Sequence, residues 1–168
     1  MESLFRLASG IDTDEILVLF FKAIERLRTN DIDQWDDQYP NRYTIAEDIE
    51  KGQMYVLSQN GQIVSAVVLN EEQPKAYGSA AWSDRYGRVA VIHRLCVHPD
   101  FQGMGIGRYT LGAGEKFLAD IGYTSIRLDA FMENRKAITL YESLGYTLTG
   151  KEVFRKGEFG LYEKLLSD

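Results

Sequence analysis

Cys96 is the only cysteine in the chain, so no internal disulfide can form and a reducing, cytoplasmic setting is expected. No apolar run approaches the length of a membrane span. The opening MESLFRL lacks a basic region followed by a long apolar one, so export is not expected either. Internal repeats and low-complexity segments are missing as well. Positive charge is in deficit, with 19 Lys and Arg against 25 Asp and Glu and a net charge of −6. That balance opposes nonspecific nucleic-acid binding and mildly favours cationic partners. What is present is ordinary for a soluble globular chain: 168 residues, 45% hydrophobic and 26% charged. This is enough for one domain, 1–168, with a sizeable core.

One stretch stands out, residues 89–107, VAVIHRLCVHPDFQGMGIG. Its first half is apolar and rich in β-branched residues, as a buried strand requires. Pro99-Asp100 ends strand pairing. Gly103, Gly105 and Gly107 then follow at alternate positions behind Gln102, and Leu111, Phe117, Leu118 and Ile121 continue as the apolar face of a helix. Strand, glycine loop and helix together aim backbone N–H groups and a helix N-terminus at an anion. The glycines let a phosphate approach the backbone without a Cβ in the way. The loop is not a Walker A, because no Lys-Ser/Thr pair follows it, and Thr110 stands where a dinucleotide fingerprint needs its last glycine.

Around that stretch the chain reads in order. A first strand is expected at 4–8. Asp12-Thr13-Asp14-Glu15 carries a capping residue and first-turn acids, predicting a helix through Leu27 with Ile16, Leu19, Phe20, Ala23, Ile24 and Leu27 on one stripe. Thr44-x-x-Glu47 predicts a capping box for a short second helix ending near Gly52. Strands at 54–57 and 62–69 form a hairpin across Asn60-Gly61. Residues 71–88 form a long polar connection, of a length that is usually functional or mobile. A strand at 125–130, a helix at 134–144 stopped by Gly145, and strands at 146–149 and 159–164 complete an α+β fold of mixed layers.

Gln102-x-x-Gly105-x-Gly107 matches Q/R-x-x-G-x-G/A, and NRKAITLYESLGY matches N-x-x-A-x-x-L-Y-E-x-x-G-[FY] at its defining positions. Over 89–146 the chain therefore resembles the GCN5-related N-acetyltransferase (GNAT) family. The resemblance implies an acyl-CoA N-acyltransferase fold, with a central mixed, mostly antiparallel sheet flanked by helices. It implies transfer of acetyl from acetyl-CoA directly to a primary amine of a small molecule or peptide, without a metal, and it admits a homodimer. In such a fold the sheet splays beside the strand that leads to the glycine loop. The main chain of Leu95, Cys96 and Val97 would then line the pantetheine arm. Gln102, Gly103, Met104, Gly105, Ile106, Gly107 and Arg108 would cradle the diphosphate, Asn134 and Ala137 would hold the cofactor arm, and Tyr141 would point its hydroxyl at the sulfur.

The residues themselves support some of these roles and leave others open. Asn134, Ala137 and Tyr141 lie at i, i+3 and i+7, on one helical face. A phenol is a weaker acid than a thiol, so full proton transfer from Tyr141 to a thiolate runs uphill by about 2 kcal/mol. Tyr141 is thus a proton donor or a thiolate stabiliser, or else a core aromatic with Asn134 as a helix cap. An alkyl ammonium must lose a proton before it attacks. His93 is the first candidate base, with the side parity of Leu95 and Val97. Some arylalkylamine-acetylating relatives carry a histidine at this strand position. The alternative is a hydrogen-bonded core histidine. Asp129 is a second candidate unless it pairs with Arg94 or Arg127, and a water chain is a third. His98, before Pro99 at the strand end, reads as structural or as a surface residue, and Cys96, of opposite parity to His93, as inert packing. Trp35, Tyr39, Tyr77, Trp82 and Tyr86 either line an acceptor pocket or cover the sheet. Gly112 and Gly114 suggest close approach of their helix to the sheet. Two other functions fit the loop: a non-catalytic CoA-binding regulatory or interaction module, and a nucleotide-binding enzyme, which would lack both the Walker lysine and a magnesium carboxylate pair.

Overall fold

The computed structural model describes residues 2–167. Its elements run β1 (Ser3–Leu7), α1 (Thr13–Thr29), α2 (Arg42–Glu50), β2 (Met54–Gln59), β3 (Gln62–Asn70), β4 (Val89–Val97), α3 (Ile106–Asp120), β5 (Ser125–Phe131), α4 (Arg135–Ser143), β6 (Thr147–Phe154) and β7 (Gly157–Leu165). This is the expected α+β order. The strands form one seven-stranded sheet in the order β1-β2-β3-β4-β5-β7-β6. The sheet is mostly antiparallel, with a parallel β4–β5 pair. The chain packs as two compact units, one holding residues through Leu69 together with Arg94–Ala113, the other holding Asn70–His93 and the chain from Gly114 onward.

In the first unit, the stripe Ile16, Leu19, Phe20, Ala23 and Ile24 of α1 is buried with Met54, Val56, Ala66 and Val68 of the two central strands. Leu57 and Val64 instead pack with Ile106 at the start of α3. β3 is covered on both sides, which is why it reads as the near-continuous apolar run IVSAVVL. Its buried Ser65 is satisfied by the Thr110 hydroxyl at 2.6 Å, and Thr110 in turn donates to the Ile106 carbonyl at 2.7 Å. That pair pins the first turn of α3 to the strand.

Asn60 and Gly61 take φ of 50° and 82°, the two left-handed residues that a type I′ hairpin requires. Two capping expectations are corrected. α2 is capped by Asn41, whose side chain accepts from Thr44 N–H, so the box is Asn41–Thr44 and not Thr44–Glu47. Asp12 makes no side-chain cap on α1, because its carboxylate is taken by the Arg6 guanidinium at 2.8 and 3.0 Å. Ile121, expected on the apolar face of α3, is 46% exposed and lies beyond the helix. Gly112 has open space where a Cβ would sit, so close packing does not explain it.

The second unit pairs β5 with β7 from Ser125–Leu165 to Phe131–Phe159, and β7 with β6. The connection at 71–88 is fastened to its sheet. Tyr77 and Trp82 are buried with Val91 and Leu161, and the buried Glu163 carboxylate accepts the N–H groups of Ser83 and Asp84 at 2.8 and 3.0 Å.

Candidate functional site

β4 ends at Val97, and a short 3-10 turn, Pro99–Phe101, leads to the glycine loop. The His98 ring accepts from Asp100 N–H at 3.1 Å and meets Phe101 edge-on, while the backbone N–H of His98 donates to the Val64 carbonyl at 2.8 Å. His98 is therefore structural, as expected. The Gln102 side chain donates to the Val97 carbonyl at 3.4 Å. Gly103 and Gly105 take φ of 78° and 79°, and nothing lies within 4 Å of where their Cβ atoms would be. Tyr109 N–H bonds backward to the Gly105 carbonyl at 3.0 Å. The N–H groups of Gly103 to Gly107 have no acceptor among the described residues. Met104 is exposed and Ile106 buried, so the loop is anchored from beneath and open above. Open N–H groups, glycines with free space over them and a helix N-terminus suit a diphosphate.

Leu95, Cys96, Val97 and residues 102–108 thus belong to the first unit. Cys96 packs among the α1 residues with its thiol toward the Leu19 carbonyl, and burial pushes that thiol well up, which suits inert packing. Arg94 interrupts the strand with φ of 51°, a left-handed conformation rare for a side-chain-bearing residue. The side alternation used to align His93 with Leu95 and Val97, and to oppose it to Cys96, does not run through that residue. The Arg94 guanidinium is held by the buried Asp48 carboxylate at 2.7 and 2.8 Å and by the Tyr39 hydroxyl at 2.7 Å. Asp48 rather than Asp129 is therefore its acid.

His93, Asp129, Asn134, Ala137 and Tyr141 lie in the second unit. The β4–β5 ladder joins Val89, Val91 and the residue between them to Ser125, Arg127 and the residue between those, and stops there, although both strands continue. His93 and Asp129 both lie past the point where the strands part. The His93 Nε2 is 2.9 Å from Asn70 Oδ1 and 3.1 Å from the Glu72 carbonyl. Asn70 Oδ1 also accepts from Glu72 N–H at 3.0 Å, which identifies it as the amide oxygen. Two acceptors on one ring nitrogen fix the proton at Nε2, so the neutral imidazole carries its lone pair on Nδ1.

Asp129 accepts from the Tyr77 hydroxyl at 2.6 Å. Arg127, its other expected partner, donates instead to Gln73 Oε1 and to the Asp84 carbonyl, both at 2.7 Å. Asn134 caps α4 by accepting from Ala137 N–H at 3.2 Å. Tyr141 is buried on that helix, edge-on to Tyr146, and its hydroxyl has no hydrogen-bond partner among the described residues. Burial, and then the Asp129 charge, push its phenol well above the ordinary tyrosine value. Among the expected aromatics, Trp35 is buried against Phe20, Tyr77 and Trp82 cover the sheet, Tyr39 binds Arg94, and Tyr86 is exposed. Sequence reasoning missed the Tyr77–Asp129 contact and the Asn70 acceptor for His93.

Comparison with known proteins identifies the class. The Acetyltransferase (GNAT) family matches residues 20–146. The chain belongs to the GNAT acetyltransferase family. The S-(2-succino)cysteine N-acetyltransferase of Bacillus subtilis is 26% identical over 169 residues, covering 98% of this chain and 96% of that protein. A GNAT-family acetyltransferase structure from Streptococcus agalactiae superposes with a TM-score of 0.88 at 24% identity, over 99% of this chain and 96% of that one. An acetyltransferase from Salmonella typhimurium, solved with its cofactor acetyl-CoA, gives 0.71 at 18% identity over 99% and 95%. Among the described residues no helix is long and apolar enough to cross a membrane, and no cluster of His, Cys, Asp and Glu could hold a metal ion.

Proposed function

We propose that the protein is an acetyl-CoA-dependent N-acetyltransferase that acetylates a primary amine of a small molecule or peptide by direct attack. The observation that carries this reading is the loop at 102–108, whose open N–H groups and uncrowded glycines suit the coenzyme diphosphate. Bound acetyl-CoA supplies an activated thioester. In this reading Gln102 to Arg108 hold the phosphates, the main chain of Leu95, Cys96 and Val97 aligns the pantetheine arm, and Asn134 and Ala137 support it.

His93 accepts the proton of the acceptor ammonium at Nδ1, while Asn70 and the Glu72 carbonyl hold the ring and favour the charge it gains. Asp129 is the second candidate. Its carboxylate, bound by Tyr77 and past the fork, would stabilise the same positive charge. Tyr141 stays protonated at every working pH and donates a hydrogen bond to the sulfur as negative charge develops there. Its raised pKa makes complete proton transfer to a thiolate more unfavourable than for an ordinary phenol, so it stabilises the leaving group and leaves final protonation to solvent.

A relative that acts on S-(2-succino)cysteine supports a small-molecule amine acceptor. The test is an acetylation assay on a broad amine panel, with acetylated product and free thiol counted together. One thiol released per amide formed is expected. Coenzyme binding without product from any amine would favour a non-catalytic CoA-binding module.

A further inference from the structure

The connection at 71–88 borders an open cleft of about 560 Å³ lined by Glu71, Gln73, Arg85, Arg88, Arg127 and their neighbours. Arg88 is matched: its guanidinium bonds Glu71, the Ile121 carbonyl and the Tyr123 hydroxyl. Arg127 and Arg85 make no direct ion pair among the described residues, although the Glu163 and Asp84 charges act on Arg127. Arg127 is 8% exposed, stacks over Trp82 at 4.3 Å and bonds only neutral acceptors, Gln73 and the Asp84 carbonyl. Its buried Nε–H has no acceptor among the described residues. The acids whose charge acts on it, Glu163 and Asp84, spend their hydrogen bonds on backbone N–H groups, with Thr124 also on Asp84. Arg85 is exposed, and its one hydrogen bond within the described residues is a 3.5 Å contact from Nε to the Trp82 carbonyl. Glu71 is the only acid in the lining, and Arg88 holds it. In a chain of net charge −6, this cleft gathers three arginines against one lining acid, with Asp84 and Glu163 also acting on Arg127.

Its position bears on the reaction. Arg127 pairs with Val91 on the last rung before β4 and β5 separate, and Val91 packs with Trp82, so Arg127 and Val91 share a face. His93 follows Val91 by two residues on that strand, roughly 7 Å along it, with about 5 Å between strands. Gln73 and Glu71 of the cleft flank Glu72, whose carbonyl holds His93.

We propose that Arg127 and Arg85 form a carboxylate-binding subsite for the acceptor, so that the favoured substrates are amino acids and their derivatives, with an anionic group a few bonds from the reacting amine. This rests on the acetyl-transfer reading. A paired guanidinium is the side chain best shaped for a carboxylate, and discrimination is strong when a site built for such a group meets an analogue lacking it.

The test compares S-methyl-L-cysteine with its decarboxylated counterpart, 2-(methylthio)ethylamine. Binding to the protein with CoA is followed by calorimetry, and turnover with acetyl-CoA by product formation. The variants are R85Q, at an exposed position, and R127K, which keeps the charge but loses the fork. The wild type is expected to bind the amino acid about tenfold tighter or more, and each variant to lose most of that preference by weakening the amino acid alone. R85Q is expected to fold normally, so it decides the matter should R127K melt early. Equal binding of both probes by the wild type, or a preference intact in R85Q and in folded R127K, overturns the proposal. Equal acetylation of the two probes overturns it too and leaves acetyl transfer standing. An arginine-dependent binding preference with no amine acetylated supports the subsite and contradicts the transfer reading.

Discussion

Tyr141 is a phenol that holds its proton because it is buried and because Asp129 carries negative charge nearby. A group of that kind keeps a proton to donate at neutral pH. Tyr141→Phe removes the hydroxyl and little else, so kcat is expected to fall about 100-fold. Coenzyme affinity, measured by calorimetry, should change by less than about twofold, since the proposed bond strengthens only as the sulfur leaves. His93 works in the opposite direction: it must be neutral to accept a proton, so protonation at low pH silences it and the rate falls on acidification. His93→Asn is expected to lower kcat/KM by about 100-fold and to abolish that acidic limb in a pH–rate profile. A limb that survives would pass the role to Asp129. At this scale the sequence named the candidate side chains, but not what holds them. Asn70 is 23 residues from His93 and Tyr77 is 52 from Asp129. Contacts over such separations leave no local pattern.

At the scale of elements, the readings that succeeded rest on local chemistry. Asn60-Gly61 demands a tight hairpin, the stripe of α1 follows a helical period, and Gly103 and Gly105 mark left-handed backbone. Those that failed depended on competition for one side chain. Asp12 could cap α1 or bind Arg6, and Arg6 won; Asn41 displaced Thr44 as the cap of α2. Arg94 was unreadable for a different reason. An arginine in a β-branched run gives no sign of left-handed backbone, and its conformation is held by Asp48, 46 residues earlier. The glycine loop offers the sharpest test of an element. A Cβ at Gly105 meets open space but an unfavourable φ, so Gly105→Ala is expected to cost about 1 kcal/mol of stability while leaving the fold intact. Because that residue sits among the open N–H groups proposed to hold the phosphates, CoA affinity should drop further than stability does, by about tenfold. Unchanged affinity in calorimetry would remove this loop from the coenzyme site.

For the whole molecule, stability and ligand binding are linked through charge. Asp12 is held below the ordinary carboxylate range by hydrogen bonds from Arg6, against an opposing effect of burial and with help from Ser9 N–H. A carboxylate with a depressed folded-state pKa contributes stability above its unfolded value, near 4, and loses it as pH falls through the folded value. Asp12→Asn should therefore be less stable than wild type by about 1 kcal/mol at pH 7, with the gap closing below about pH 4 in urea melts at both pH values. The most direct test is calorimetric titration of the purified protein with CoA and with acetyl-CoA. The account predicts one site per chain with micromolar or tighter affinity, of the order expected for a charge-assisted diphosphate cradle. No heat of binding with either ligand, and no rise in melting temperature at millimolar concentrations, would contradict it.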